Sequence, residues 1–317
     1  MPVAAVCGAA QNTMTEFVPQ AEAAATNEGD DNMLLKLQEA ETQILVMFDE
    51  FCKTHGLKYS LAYGTAIGAV RHGGFIPWDD DVDVLMERHE YERFLAVWRE
   101  HPTDGYSLLA SDDPDTIFVH TKIYKDNTIM ASSEEELKKP GHHGFFLDVF
   151  PLDRIPKDKK KRKKFLYKAK LRLVYTRNHP FKAGKGLRGK ILELVSRMML
   201  LIPKKSKRRI KEKCEAYIMQ YKDMPDNYEY IDLSMPVTMR DKFPKGLTDE
   251  YIDIKFGGYD LKIFAKYDMM LRTIYGDYMQ PPPENERVCI HNPQIICLDT
   301  TVESRSDSTT DNAAEEN

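Results

Sequence analysis

Residues Asp79-Asp80-Asp81-Val82-Asp83-Val84-Leu85 put four acids into five positions and run straight into an apolar segment. On a strand, side chains at i and i+2 share a face. Asp81 and Asp83 would therefore project together, with Val82 and Val84 on the opposite side. A second aspartate, Asp148, sits inside Phe145-Phe146-Leu147-Asp148-Val149-Phe150. Burying a carboxylate among such residues is costly unless it is paired or metal-bound. A fold that satisfies both segments brings the strands together with their acids at one edge. An α/β architecture with a small mixed sheet is therefore expected.

Carboxylate oxygens are the ligands that Mg²⁺ or Mn²⁺ prefers. Asp81 and Asp83 can hold one such ion. Asp148 can complete a two-metal site or act as base on an attacking hydroxyl, and both roles suit phosphoryl transfer. Lys58–Tyr63 reads as a short strand ending at Gly64-Thr65, after which Thr65 can cap a helix from Ala66 to Arg71. Backbone N–H groups at that helix start would anchor a donor phosphate. Arg71 and Lys122 are further candidates for phosphate contact. Trp78 is a candidate to face substrate, and with Tyr63 and Tyr278 it could cage a quaternary ammonium. Each has a plainer alternative: a turn, a solvated cation, a packed ring. Asp153 is expected to lie outside the site.

Elsewhere the spacing predicts helices over about 32–54, with Leu34, Leu37, Ile44, Phe48 and Phe51 on one face, over 88–99, and over 261–275. Strands are expected near 106–110, 117–124 and 145–150. Residues 1–30 and 300–317 are polar and aperiodic and read as disordered tails around a single catalytic domain, 31–299.

From Arg154 to Lys213 the chain carries 24 Lys or Arg against only Asp158, Glu193 and Glu212, although the whole protein has a net charge of −5. This basic, helical insertion is expected beside the catalytic cleft. It can be a solvated face, can rest against an anionic membrane, or can bind a polyanion; nucleic acid is the less favoured of these partners. Five cysteines without a C-x-x-C pair argue against a zinc or disulfide framework. With no signal-peptide pattern and no long apolar run, a cytoplasmic protein, peripheral at most, is expected.

The stretch Tyr59-Ser-Leu-Ala-Tyr-Gly-Thr-Ala-Ile-Gly-Ala-Val-Arg-His-Gly-Gly-Phe-Ile-Pro-Trp-Asp-Asp-Asp-Val-Asp-Val84 resembles the LicD family, bacterial phosphocholine transferases related to the fukutin-type ribitol-phosphate transferases. Phe146-Leu-Asp-Val-Phe-Pro-Leu-Asp153 is similar to that family's second block. Tyr275-Gly-Asp-Tyr-Met-Gln-Pro-Pro-Pro283 with Arg287 is similar to its last. The resemblance runs from about Asn32 to His291. It implies a nucleotidyltransferase-like fold, a divalent metal at Asp81, Asp83 and Asp148, and a CDP-linked donor. The acceptor it implies is a hydroxyl of a cell-surface glycan or lipid-linked glycan. Phe256-Gly257-Gly258 departs from the Phe-Glu-Gly of relatives. Two rivals stand beside phosphocholine transfer: nucleotidyl transfer from a nucleoside triphosphate, and a non-catalytic membrane- or polyanion-binding protein.

Overall fold

A computed structural model describes residues 27–113, 116, 118–138, 141–176, 190, 193–194, 197–198, 201–234, 238–289, 291 and 293–297. Most of the two expected tails lies outside these residues.

The fold is α/β. Helix α1 (Asn27–His55) opens it, starting five residues earlier than its periodicity suggests. Leu37, Ile44 and Phe48 on its inner face are fully buried. The main sheet, seven-stranded among the described residues, has β1 (Ser60–Leu61), β2 (Val82–Glu87), β6 (Phe146–Pro156), β4 (Thr121–Lys125) and β3 (Tyr106–Leu109) in that spatial order. Only β2 and β6 are parallel. Helices α2 (Tyr63–His72) and α3 (Arg88–Glu100) flank β2 in sequence. A short strand β5 (Ile129–Ala131) and the one-turn helix α4 (Glu134–Leu137) precede β6.

Strand β6 is almost twice as long as expected. Its first half pairs with β4 and its second half with β7 (Tyr228–Asp232), which in turn meets β8 (Phe243–Pro244). One strand thus serves two packing units. Around its start, a large core joins α1, the main sheet and the hairpin of β9 (Tyr251–Phe256) and β10 (Tyr259–Phe264). Beyond its end, a smaller core gathers Ile155, Phe165, Ala169, Ile218, Ile231, Leu233 and Met239.

That second core belongs to α5 (Lys159–Thr176) and α6 (Lys204–Met219) of the basic segment. Phe165 and Ala169, one turn apart, turn inward, while Lys159, Lys160, Lys161, Lys163 and Lys164 stay exposed. Among the described residues, these two helices pack around Ile155 at the far end of β6, and Arg154 belongs to the strand; much of 177–200 lies outside the described residues.

The region 261–275 also differs from expectation. Its first part is β10, and only Tyr267–Tyr275 (α7) is helical. Gly257 and Gly258, at φ +56° and +92°, form the tight turn between β9 and β10. Strand β11 (Ile295–Cys297) pairs with β5.

Candidate active site

The parallel register of β2 and β6 sets Asp83 directly beside Asp148, and the antiparallel register of β6 and β4 sets Lys122 on Asp148's other flank. Residues paired across strands share a face of the sheet, so Asp83, Asp148 and Lys122 form a row. Asp81 joins from two residues before Asp83, just ahead of β2. Its side chain is 19% exposed, against 11% for Asp148. Asp81 is therefore the carboxylate that a solute meets first.

The site concentrates negative charge. Burial, reinforced by Asp81 and Asp148, pushes the Asp83 carboxyl well above the usual carboxylate range. Burial lifts Asp81 to about 6, with His291 opposing and Asp148 adding. Burial, then Asp81 and Asp80, lifts Asp79 to about 7. Asp148 goes the other way. Burial opposes its charge, but Lys122 and His120 hold it at about 2. The Lys122 ammonium lies 2.7 and 2.8 Å from its two oxygens, and His120 Nε2 lies 3.3 Å from Oδ1.

Asp79 and Asp80 have separate tasks. Asp80, with no side-chain exposure, accepts from the Cys289 thiol at 2.7 Å and from the His291 backbone N–H at 3.1 Å. It anchors the C-terminal segment over the acidic loop. Asp79 Oδ2 is buried with no hydrogen-bond partner. It lies 2.6 Å from where a Cβ on Gly64 would stand, so only glycine leaves it room. Asp79, Asp80 and Asp81 each place a carboxylate oxygen within 4.8 Å of the others. An orphaned buried oxygen among hard anionic donors fits a divalent cation.

Gly64 and Thr65 lie in the first turn of α2, where backbone N–H groups lack intrahelical partners. Thr65 is not the cap. Ala62 occupies that position without a side-chain cap, and the buried Thr65 Oγ1 accepts from the Asp83 N–H at 2.8 Å. The helix start is thereby fastened to the acidic strand.

Other expected contacts lie elsewhere or are already engaged. Arg71 is at the opposite end of α2, seven residues or about 10 Å from Gly64 at 1.5 Å per residue, and Nη1 donates to the Tyr278 carbonyl at 2.6 Å. Lys122 is committed to Asp148 and stands 3.5 Å over the Phe146 ring. The Trp78 ring faces the Arg287 guanidinium at 5.2 Å. Tyr278 is buried and its hydroxyl donates to Asp268. Asp153 pairs through both oxygens with buried Arg88, each contact 2.7 Å, so it is a structural anion.

Three residues escaped sequence reasoning: Glu41, His120 and Asp232. Glu41 is fully buried, neither of its oxygens has a partner, and burial followed by Asp81, Asp80, Asp79 and Asp83 pushes it well above the carboxylate range. It had a legible signal, an acid at helical spacing between Leu37 and Leu45 on the apolar stripe of α1. A cavity of about 400 Å³ lies beyond the end of β2, lined by Arg88, Tyr91, Val119, Arg172, Lys211 and Glu215.

A strand pair thus carries this acidic row against a helix N-terminus. Residues 56–182 match the family described as LicD/FKTN/FKRP, nucleotidyltransferase domain. Over that span the chain is similar to the LicD family. Among individual relatives, it is 28% identical over 274 residues to the lipopolysaccharide cholinephosphotransferase LicD of Haemophilus influenzae, covering 83% of this chain and 99% of that one. An uncharacterised protein of Rickettsia typhi is 30% identical over 82 residues, 26% of this chain and 23% of its own. One of Rickettsia prowazekii is 25% identical over 118 residues, 35% and 44% respectively.

Proposed function

We propose that the protein is a phosphotransferase that moves phosphocholine, or a similar substituted phosphate, from a CDP-linked donor to a hydroxyl of a cell-surface glycan precursor. The observation that carries this reading is the register that sets Asp83 beside Asp148, with Asp81 at the open side. Full-length similarity to a lipopolysaccharide cholinephosphotransferase supports the substrate class.

Asp81 and Asp83, with Asp148 beside them, are the residues that would hold Mg²⁺ or Mn²⁺, which neutralises charge on phosphate oxygens when bound. Gly64 and Thr65 offer backbone N–H groups to the donor's phosphates. The Lys122 ammonium keeps Asp148 ionised, which makes Asp148 a fixed anion and a poor proton acceptor. Gln38 Nε2 donates to the Asp79 carbonyl at 2.9 Å and steadies the acidic loop. The acceptor hydroxyl attacks the distal phosphorus, its proton passes to solvent, the phosphoanhydride bond breaks, and CMP leaves. A lipid-linked acceptor would bring the protein to an anionic membrane face, where the lysines of α5 match the surface charge.

The deciding experiment is a product assay with CDP-choline, CDP-ribitol, CDP-glycerol and nucleoside triphosphates, with Mg²⁺ or Mn²⁺ and with chelator. Release of CMP from one CDP-alcohol, abolished by chelator, is expected. Pyrophosphate from a nucleoside triphosphate would replace this reading with nucleotidyl transfer.

A further inference from the structure

Tyr63 adopts φ +47°. The other described non-glycine residues with positive φ are Asn127 and Asn227, and asparagine tolerates that region far better than an aromatic residue does. The strained position falls at the junction of β1 and α2, beside the acidic strand. Strain of this kind persists only where the surroundings enforce it.

The turn solves a specific problem at Asp83. Strand β1 ends at Leu61, opposite Val84, so the next ladder pair would be Ala62 with Asp83. Half of that pair forms, with the Ala62 N–H donating to the Asp83 carbonyl at 3.0 Å. The Ala62 carbonyl that would receive the Asp83 N–H is instead taken by Ala66 N–H, as the first bond of α2. The Thr65 hydroxyl replaces it and accepts from Asp83 at 2.8 Å. Both backbone groups on this edge of Asp83 are thus held by residues on either side of the Tyr63 kink.

The kink is tied down from outside the acidic motif. Tyr63 Oη donates to Asp232 Oδ2 at 2.5 Å. Asp232, 1% exposed at the end of β7, also accepts from Ser234 Oγ at 2.7 Å and from the Ser234 N–H at 2.7 Å. The Tyr63 ring meets Phe150 edge-on at 5.5 Å, two residues beyond Asp148 on β6.

We propose that the Tyr63–Asp232 hydrogen bond holds the strained turn and, through Ala62 and Thr65, fixes the backbone of Asp83, which makes Asp232 a positioning residue for the transfer reaction. This rests on the phosphotransferase reading, so its test includes a readout that needs no substrate. Tyr63→Phe and Asp232→Asn, singly and together, are compared with wild type by hydrogen exchange of the 79–87 peptide and by kcat and KM for CDP-choline with Mg²⁺.

Faster exchange at Asp83 is expected in both single variants. kcat should fall about tenfold with KM within about threefold. The double variant should be no worse than either single one, because all remove one interaction. Should both single variants fail to fold, Ser234→Ala, which loosens Asp232 without touching the turn, should show the same exchange change in weaker form. Exchange unchanged from wild type overturns the proposal, whatever happens to kcat. Faster exchange with unaltered kcat in an active protein also overturns the catalytic role. If wild type turns over no donor, the phosphotransferase reading fails and the exchange result alone judges the tie.

Discussion

Asp81 and Asp83 share a face, and on the proposed reading they would share a cation; further carboxylates crowd both, with His291 the nearest positive group to Asp81. Asp81→Asn and Asp83→Asn keep shape and remove one anionic ligand each. Either should lower kcat by at least about 10²-fold, the loss typical of one strong electrostatic contact, while circular dichroism reports a native fold. Asp153, five residues past Asp148, behaves differently despite a similar apolar setting. Its two oxygens grip Arg88, whose side chain is 5% exposed. Breaking a buried pair strands a charge, so Asp153→Asn should cost about 3–5 kcal/mol in a denaturant titration. Asp81 and Asp83 were legible as a pair because i and i+2 on a strand share a face, whereas the place of Asp148 beside them depends on the β2–β6 register. Asp153 was readable only as an acid in a strand; that its partner would be Arg88, 65 positions away, depends on tertiary register. Asp232 was illegible for the same reason, since nothing near it in sequence announces Tyr63.

At the level of elements, the loop that delivers the acids depends on one glycine. A Cβ on Gly68 would stand 2.4 Å from the Gly74 carbonyl oxygen and 3.1 Å from Ile76 N, both backbone atoms. Neither can swing aside as a side-chain tip could. Gly68→Ala should therefore destabilise the protein by about 1–3 kcal/mol, the range for overpacking, and lower the Mg²⁺ affinity measured by calorimetry as the loop shifts. Helix α3 was legible almost to the residue, because Tyr91, Phe94, Leu95 and Trp98 repeat at helical spacing. The segment after Phe256 was not, because its apolar residues suit either period. The Gly257-Gly258 pair carried the missing information: two glycines between alternating apolar runs form a hairpin turn. Thr65 was misplaced by the opposite error, a good capping residue whose hydroxyl serves a neighbouring strand.

For the whole molecule, the buried acids make stability depend on pH and cation. The native state keeps protons on Asp79 up to about pH 7 and on Asp81 up to about 6. The unfolded chain sheds them near 3.9. Folded carboxyls with raised pKa favour the native state at low pH and progressively less as pH rises. With chelator present, the melting midpoint should fall between about pH 4 and 7. Mg²⁺ should reverse most of that fall, and Glu41→Gln should lessen it. A midpoint that rises with pH under chelator would contradict this charge arrangement. The basic segment gives a second test. Anionic vesicles should bind the protein at low salt and release it at high salt, as screened attraction requires; binding indifferent to salt would exclude a lysine-led contact. No helix among the described residues is long and apolar enough to cross a membrane. Sequence composition made this charge visible, but not where its helices dock, because that depends on how far β6 continues.

Strand β6 carries Asp148 near one end and Ile155 near the other, seven residues or about 23 Å apart at the rise of a strand. Paired with β2 and β4 near Asp148 and with β7 from Leu152 onward, the strand is held along its length and acts as a ruler. Whatever surface the two basic helices meet, the acidic row stands off from it by a set height. On the proposed reading, an acceptor hydroxyl would then be selected by its elevation above that surface as well as by its chemistry.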